Sequence, residues 1–375
     1  MRIGLLGFGT VGKGVYELTA PRDDISVVKV LCRRDLKLPD AIVTHDFTDI
    51  LNDDTIDTVV EVIGGLHPAW EYVKAAIEAG KHVVTANKAL VAHYYDELLP
   101  LAAAKGVSVR CTASVGGGIG WLSELERVRR CETVSKVGGI MNGTCNYILD
   151  SMTRLDLEYA DVLSNAQVLG YAEADPSTDV DGIDTWHKLI VSANIAFGVS
   201  LDIDAIPAAG ISNITREDVA MFRRKGYTCK LMSNAQVADG FYSAYVQPTL
   251  VENGTLEAAV PMNYNLITLQ GNTSGRQSFF GQGAGRYPTA YNVVQDCVDI
   301  MAGRGFYSPY GAKVAVLNDK AMRYYVRGPK DAWLLAHKKE CWGEAVVTGP
   351  VRVDDMHAWL KANPNAFMAA LSEKN

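Results

Sequence analysis

A chain of 375 residues that is 48% hydrophobic and 21% charged holds enough apolar material for more than one core, so two or three domains are expected. Its net charge of -7, without a run of Lys or Arg interleaved with aromatics, argues against nucleic acid or an acidic membrane surface as the main partner and leaves small molecules. The seven cysteines are odd in number, scattered and nowhere in a CxxC spacing, which fits reduced thiols in a cytoplasmic protein, and the seven histidines show no metal-ligand spacing.

The chain opens with a short apolar strand from Arg2, turns through Gly7-Phe8-Gly9-Thr10-Val11-Gly12, and continues with Val11, Val15 and Leu18 at helical spacing. The early glycines, with no long h-region or cleavage site, make this a strand and not a signal peptide, and no apolar run reaches membrane-spanning length. Strand, GxGxxG and helix in that order form a dinucleotide fingerprint. Gly7 makes the tight turn, Gly9 lets backbone approach a pyrophosphate, Gly12 lets helix and strand pack closely, and the helix N-terminus holds the anion. A lone GxGxxG is often only a tight turn; its place between strand and helix favours the dinucleotide.

The next strand, Ile25 to Cys32, ends where NAD-specific folds place an Asp or Glu for the ribose hydroxyls. Here Arg33 and Arg34 follow instead. A guanidinium there pairs with a 2′-phosphate, which predicts that NADP is preferred, although Asp35 could serve a ribose and admit NAD, and plain surface solvation would also explain the pair. Two β-branched runs, Thr58 to Gly65 and Lys81 to Lys88, flank a helix-like stretch from Pro68 to Gly80, and this alternation implies a parallel sheet. Ligands lie beyond the carboxyl ends of such strands, where Ile63, Gly64, Gly65, Thr85, Asn87 and Lys88 project. Lys88 is thereby a candidate to touch nicotinamide or substrate, although a lysine after a strand is more often solvated. Val107 to Ala113 then runs into Gly116-Gly117-Gly118, whose bare main chain suits a ligand or a close-packed neighbour equally well.

Chemistry concentrates in Gly170 to Lys188, GYAEADPSTDVDGIDTWHK, where carboxylates and a lysine crowd a loop around Pro176 that gives way near Gly182 to an apolar helix closed by Gly198. Asp184 and Lys188 fall on one face of its first turns. Alone, such a segment is more often a solvated loop with a helix-stabilising ion pair. Farther on, Phe241 to Val251, Asn265 to Gln270 and Arg323 to Arg327 read as strands, and Met356 to Leu371 as a helix.

Together these motifs resemble the homoserine dehydrogenase family: GFGTVGKGV from Gly7, VVTANKALVA around Lys88, SVGGG from Ser114, GIMNGTCNYIL from Gly139, the Gly170 to Lys188 stretch, and GQGAGRYPTA from Gly281, in the family's order. The resemblance implies an α/β fold with an N-terminal Rossmann dinucleotide-binding domain (1–127, completed by 288–309) and a mixed α/β catalytic and dimerisation domain (128–287), hence a homodimer. The tail, 310–375, lies where many relatives carry a regulatory ACT-type domain. It reads as too short and too weakly patterned for a complete one, so a partial or unrelated appendage is expected, without feedback control by threonine.

The resemblance also implies interconversion of L-homoserine and L-aspartate 4-semialdehyde, in the aspartate-derived route to threonine and methionine, with NADP or NAD as hydride carrier. On the matching positions Glu173 and Asp184 hold the substrate amino group, with Gly170 and Asp179 in the same substrate set. Lys188 is proton donor and acceptor, and Lys88 binds cofactor and substrate; either lysine could pass the proton. Gly285 joins the cofactor residues. An ammonium needs acceptor carboxylates, and a developing alkoxide needs a cation that can supply a proton.

Family members often hold a monovalent cation with a glutamate and main-chain oxygens in a stretch like EASVGGGIP. Thr112 replaces the glutamate here and Gly120 the proline; the carbonyls of Val115, Gly117 and Ile119 could still take a loosely held sodium or potassium. Two other readings compete. A semialdehyde dehydrogenase needs a nucleophilic cysteine in a motif this chain lacks. A non-catalytic NADP-binding paralogue, acting as sensor or assembly partner, is supported only by the altered loop at Thr112 and Gly120 and opposed by the retained Glu173, Asp184, Lys88 and Lys188.

Overall fold

Short β-branched runs separated by helical periods can bury both faces only in a parallel sheet covered by helices. In the computed structural model, which describes residues 1–304 and 311–372, six such strands form β1 (Arg2–Leu6), β2 (Ser26–Leu31), β3 (Ile42–Thr44), β4 (Thr58–Glu61), β5 (His82–Thr85) and β6 (Val109–Arg110). All are parallel, in the order β3-β2-β1-β4-β5-β6. The order reverses between β1 and β4, which creates the crevice where dinucleotides bind in open sheets of this kind.

The chain divides into two compact units: 1–132 with 194–200 and 282–313, and 133–193 with 201–281 and 314–375. The expected boundary at 309/310, including Tyr310, lies outside the described residues. The first unit's core is built from Ile3, Leu5, Val15, Val27, Val30, Val60 and Val84, closed by Val293 and Cys297 of the returning helix Arg286–Met301. Each such aliphatic contributes about 1.5–3 kcal/mol when fully buried. That helix lies tightly on the first helix, Thr10–Thr19, because Gly14 has no side chain: a Cβ there would meet Ala290 Cβ and Arg286 Cγ at 2.9 Å.

The second unit is organised on a nine-stranded sheet of β7 (Val134–Ile140), β8 (Tyr227–Ala238), β9 (Phe241–Glu252), β10 (Tyr264–Gly271), β11 (Gly275–Gln282), β12 (Tyr324–Arg327), β13 (Lys338–Trp342), β14 (Ala345–Thr348) and β15 (Phe367–Leu371). Its order is β11-β10-β7-β8-β9-β15-β12-β14-β13. Among the described residues no helix is long and apolar enough to cross a membrane.

The tail departs from its sequence reading. One helix was expected over Met356 to Leu371, but the helix stops at Ala362, before Asn363-Pro364-Asn365, and Phe367–Leu371 is a strand. Proline cannot continue a helix, and the β-sheet register of β15 against β12 then claims the apolar run that follows. β12, the helix Ala332–Ala336, β13, β14, the helix Val353–Ala362 and β15 complete a β-α-β-β-α-β unit whose neighbouring strands are antiparallel. It has its own core of Tyr324, Val326, Leu334, Val346, Met356, Trp359 and Met368. Its elements are too short for their periods to register in sequence, which is why the pattern looked weak.

Candidate active site

The glycine turn after β1 separates packing from ligand approach. Gly7 adopts φ +102°, and a Cβ at Gly12 would collide with the Gly7 carbonyl, so both glycines are required by the turn itself. A Cβ at Gly9 would meet nothing within 4 Å. Gly9 therefore leaves open the space in front of the helix N-terminus, whose first turn carries no acidic residue, and the arrangement fits a dinucleotide pyrophosphate. Around it, Phe8 is buried edge-on against Tyr16 with ring centroids 5.8 Å apart, Thr10 is exposed and Val11 half-buried. Gly9→Ala is expected to fold normally yet weaken dinucleotide binding by about tenfold, the equivalent of one charged hydrogen bond. Gly12→Ala should instead lose roughly 1–3 kcal/mol of stability by overpacking. Thermal melts set beside cofactor titrations separate the two, and equal loss of stability in both variants would refute this division of roles.

Beyond β2, the Arg34 Nη2 donates to the Phe8 carbonyl at 2.9 Å, tying it to the glycine turn, while Arg33 is exposed. Asp35 is engaged elsewhere, with its Oδ1 2.9 Å from His45 Nε2, and this contact raises the His45 pKa. Beyond β4 and β5, a carboxylate that sequence reasoning passed over orders the loop. Glu61, fully buried, accepts from the backbone N–H groups of Ile63 (2.8 Å) and Gly64 (3.1 Å) and from Thr85 Oγ1 (2.6 Å). Burial pushes its carboxyl up against those donors. Thr85 Oγ1 in turn accepts from Asn87 N, and Asn87 donates to the Gly65 carbonyl at 2.6 Å and caps the helix Lys88–Lys105. Lys88, half-buried, is that helix's first residue. The signal was a lone acid inside the apolar run Thr58 to Ile63. Gly285, at φ +132°, caps the helix Arg286–Met301, which packs on the first helix.

In the second unit the acidic loop and its helix become a buried cluster. Gly182, at φ +87°, turns the chain into the helix Ile183–Phe197, and Gly198, at φ +69°, follows its end. Lys188, 8% exposed, places Nζ 2.7 Å from Asp184 Oδ2 and 2.8 Å from the Met141 carbonyl, to which it donates. Asn142 caps the helix Gly143–Leu155 by accepting from Cys145 N, and its amide donates both to Asp179 Oδ1 (2.6 Å) and to Asp184 Oδ2 (2.8 Å). One amide thus holds two carboxylates together. Burial first, then the like charge of Asp184, raises the Asp179 pKa. Asn265, fully buried, donates to the same Met141 carbonyl at 2.9 Å, so that oxygen fixes the ammonium from one side while Asn265 fixes the oxygen. Met141 and Asn142 both lie inside the GIMNGTCNYIL motif, which assigns neither a role; no motif contains Asn265.

The structure does not bring every expected substrate residue into this cluster. Glu173 and Gly170 are exposed in the loop before it, where the Glu173 carbonyl accepts from Gln167 Nε2 at 3.1 Å. Thr144 Oγ1 ties this loop to the cluster's helix through the Tyr171 carbonyl at 2.6 Å.

Of the three carbonyls that could take a loosely held sodium or potassium, those of Val115, Gly117 and Ile119, the last two are already engaged. The Asn292 amide donates to the carbonyls of Gly117 and Ile119, and the Thr112 hydroxyl is 3.2 Å from Ser123 Oγ. No cluster of three or more His, Cys, Asp or Glu that could hold a metal is present among the described residues.

Comparison with known proteins agrees with both halves. The family model "Homoserine dehydrogenase, NAD binding domain" matches residues 7–112, and "Homoserine dehydrogenase" matches residues 121–298. The chain is 39% identical over 315 residues to a homoserine dehydrogenase of Bacillus subtilis (strain 168), covering 80% of this chain and 73% of that protein. It is 39% identical over 313 residues to one of Pseudomonas aeruginosa, covering 80% and 72%. A crystal structure of a homoserine dehydrogenase from Thiobacillus denitrificans superposes with a TM-score of 0.86 at 32% identity, over 100% of this chain and 98% of that one. With a Rossmann-type first unit, a second α/β unit and these relatives, the chain belongs to the homoserine dehydrogenase family, oxidoreductases that act on a CH–OH group.

Proposed function

We propose that the protein interconverts L-homoserine and L-aspartate 4-semialdehyde in the cytoplasm, as a homodimer and with NADP preferred over NAD. The observation that carries the reading is the buried Lys188 ammonium, held at 2.7 Å by Asp184 and at 2.8 Å by the Met141 carbonyl, beside a second carboxylate, Asp179. Two carboxylates face one ammonium, and a substrate ammonium would balance the remaining negative charge. In the direction of reduction Lys188 gives its proton to the carbonyl oxygen as that oxygen takes up negative charge; in the reverse direction it removes the hydroxyl proton. The nicotinamide, when bound, supplies or accepts the hydride. Asp179, Asp184 and Glu173 are assigned to the amino group, Gly170 to the same substrate loop, and Lys88 to cofactor and substrate. Dimerisation is assigned to the second unit.

The direct test is loss of NADPH absorbance on adding L-aspartate 4-semialdehyde. Cofactor binding without turnover would favour the non-catalytic alternative and sink this reading. The NADP preference rests on Arg33, exposed after β2, and on Asp35 being engaged by His45. Arg33→Ala is expected to raise the KM for NADP by roughly 10- to 100-fold, the scale of a charged hydrogen bond to phosphate, and to leave the KM for NAD unchanged. Steady-state rates with L-homoserine and each cofactor check this; parallel changes in both KM values would remove the assignment.

A further inference from the structure

A cation seated among main-chain oxygens must find their lone pairs free and some negative charge nearby. In the turn Val115 to Gly120 the first condition fails at two of the three carbonyls, those of Gly117 and Ile119. Asn292, 3% exposed on the helix Arg286–Met301, directs its amide nitrogen to the carbonyl of Gly117 and, at 3.4 Å, to that of Ile119. The Ile119 carbonyl also accepts from Trp121 N at 2.7 Å, which uses its second lone pair. The turn has no slack to open around an ion: Gly118 N donates to the Gln282 carbonyl at 3.2 Å, and Gly117 lies so close to Gly283 that a Cβ would collide with it.

The charges near this turn are committed as well. Thr112 offers a hydroxyl already paired with Ser123, and its N–H goes to Asp296 at 2.8 Å. Asp296, Glu126 and Asp299 surround Arg110 at 3.0, 3.2 and 3.1 Å. An entering sodium or potassium would meet the positive end of an amide where it needs oxygens.

We propose that Asn292 takes the ion's place: its N–H groups satisfy the carbonyls that a monovalent cation would otherwise bridge, and they pin the glycine turn to the helix without any ion. Folding and turnover in this chain are then independent of sodium and potassium. The amide does this permanently, with no ion to recruit or desolvate.

Melting temperature reads this out without reference to the reaction. It is to be measured for the full chain in choline chloride, NaCl and KCl at matched ionic strength, with NADPH turnover alongside. The expected result is the same melting temperature and rate in all three; a saturable rise in either with NaCl or KCl over choline chloride would overturn the proposal. Asn292→Ala leaves the buried Gly117 carbonyl without its amide donor and is expected to melt roughly 2–10 °C lower, with part of the loss restored by NaCl or KCl but not by choline chloride. An alanine variant that melts like the parent, or whose loss no cation restores, also overturns it. Should that variant fail to fold, Asn292→Asp keeps the shape while exchanging the donor for an acceptor. It is expected to broaden the sodium NMR line beyond the parent, and an unbroadened line counts against the proposal.

Discussion

Replacing Lys188 by alanine is expected to lower kcat for aspartate-semialdehyde reduction by about 10²- to 10⁴-fold, the range for removing a positioned general acid. The expectation follows from how the ammonium is held. Its Nζ is fixed at 2.7 Å by Asp184 Oδ2 and at 2.8 Å by the Met141 carbonyl, and Asp184 and Met141 are themselves held by Asn142 and Asn265. Little freedom remains for another group to take over the proton, while Asn142 still bonds Asp184 in the variant and gives the cluster a chance to fold. Two measurements distinguish chemistry from collapse. Cofactor affinity should be unchanged, because the glycine turn and Arg33 lie in the first unit. Added methylamine, entering the space of the missing side chain, should restore part of the rate in proportion to its concentration. Lys188→Arg keeps a cation but not a transferable proton near neutral pH, so it should remain slow. Turnover by the alanine variant within a few-fold of the parent would remove Lys188 as the proton donor.

The largest stability effect is expected at Arg110. Its guanidinium, 3% exposed, meets Asp296 at 3.0 Å, Glu126 at 3.2 Å and Asp299 at 3.1 Å, and it donates to the Arg304 carbonyl at 3.1 Å. One cation therefore sits among three carboxylates drawn from β6's surroundings and the returning helix and offsets part of their charge. Arg110→Met keeps the aliphatic bulk but leaves the acids buried without it, and breaking a buried pair in this way costs about 3–5 kcal/mol. The loss should depend on pH with a definite sign. Burial pushes Asp296 up to about 6, above its ordinary value, so the folded state binds a proton more readily than the unfolded one. Stability on this account falls as pH rises through the carboxylate range toward 6 and is recovered as pH drops. Without Arg110 the folded carboxyl moves further up and the dependence steepens. Urea melts at pH 7.5 and pH 5 should therefore show the gap between parent and variant narrowing at the lower pH. A gap that widens on acidification would contradict the assignment of Asp296 as the strained group.

The Asn142, Asn265 and Arg110 contacts behind these expectations join distant segments and carry no local pattern. The strand, GxGxxG and helix order produced the cradle at Gly7 to Gly12, because each glycine answers a backbone constraint within a few residues. The four-residue spacing of Asp184 and Lys188 produced a 2.7 Å ion pair, because helix geometry alone brings those positions together. Alternating β-branched runs and helical periods announced the parallel sheet for the same local reason. The apolar run from Met356 to Leu371 predicts one helix, yet the helix ends at Ala362 and a strand begins at Phe367, because the break at Pro364 sits inside the run.

The chain's own letters therefore decided the dinucleotide fold, the family and the helical ion pair, since these depend on backbone preferences and periods that span one turn or one strand. Tertiary packing alone decided that Asn142 would hold Asp179 and Asp184 together, that Asn265 would brace the Met141 carbonyl, and that Asn292 would reach Gly117 across 175 positions. It also decided that the tail's short strands would complete a β-α-β-β-α-β unit. Hydrogen bonds between distant segments carry no periodic signature; they exist only after apolar burial has set which backbones lie within 3 Å of which side chains.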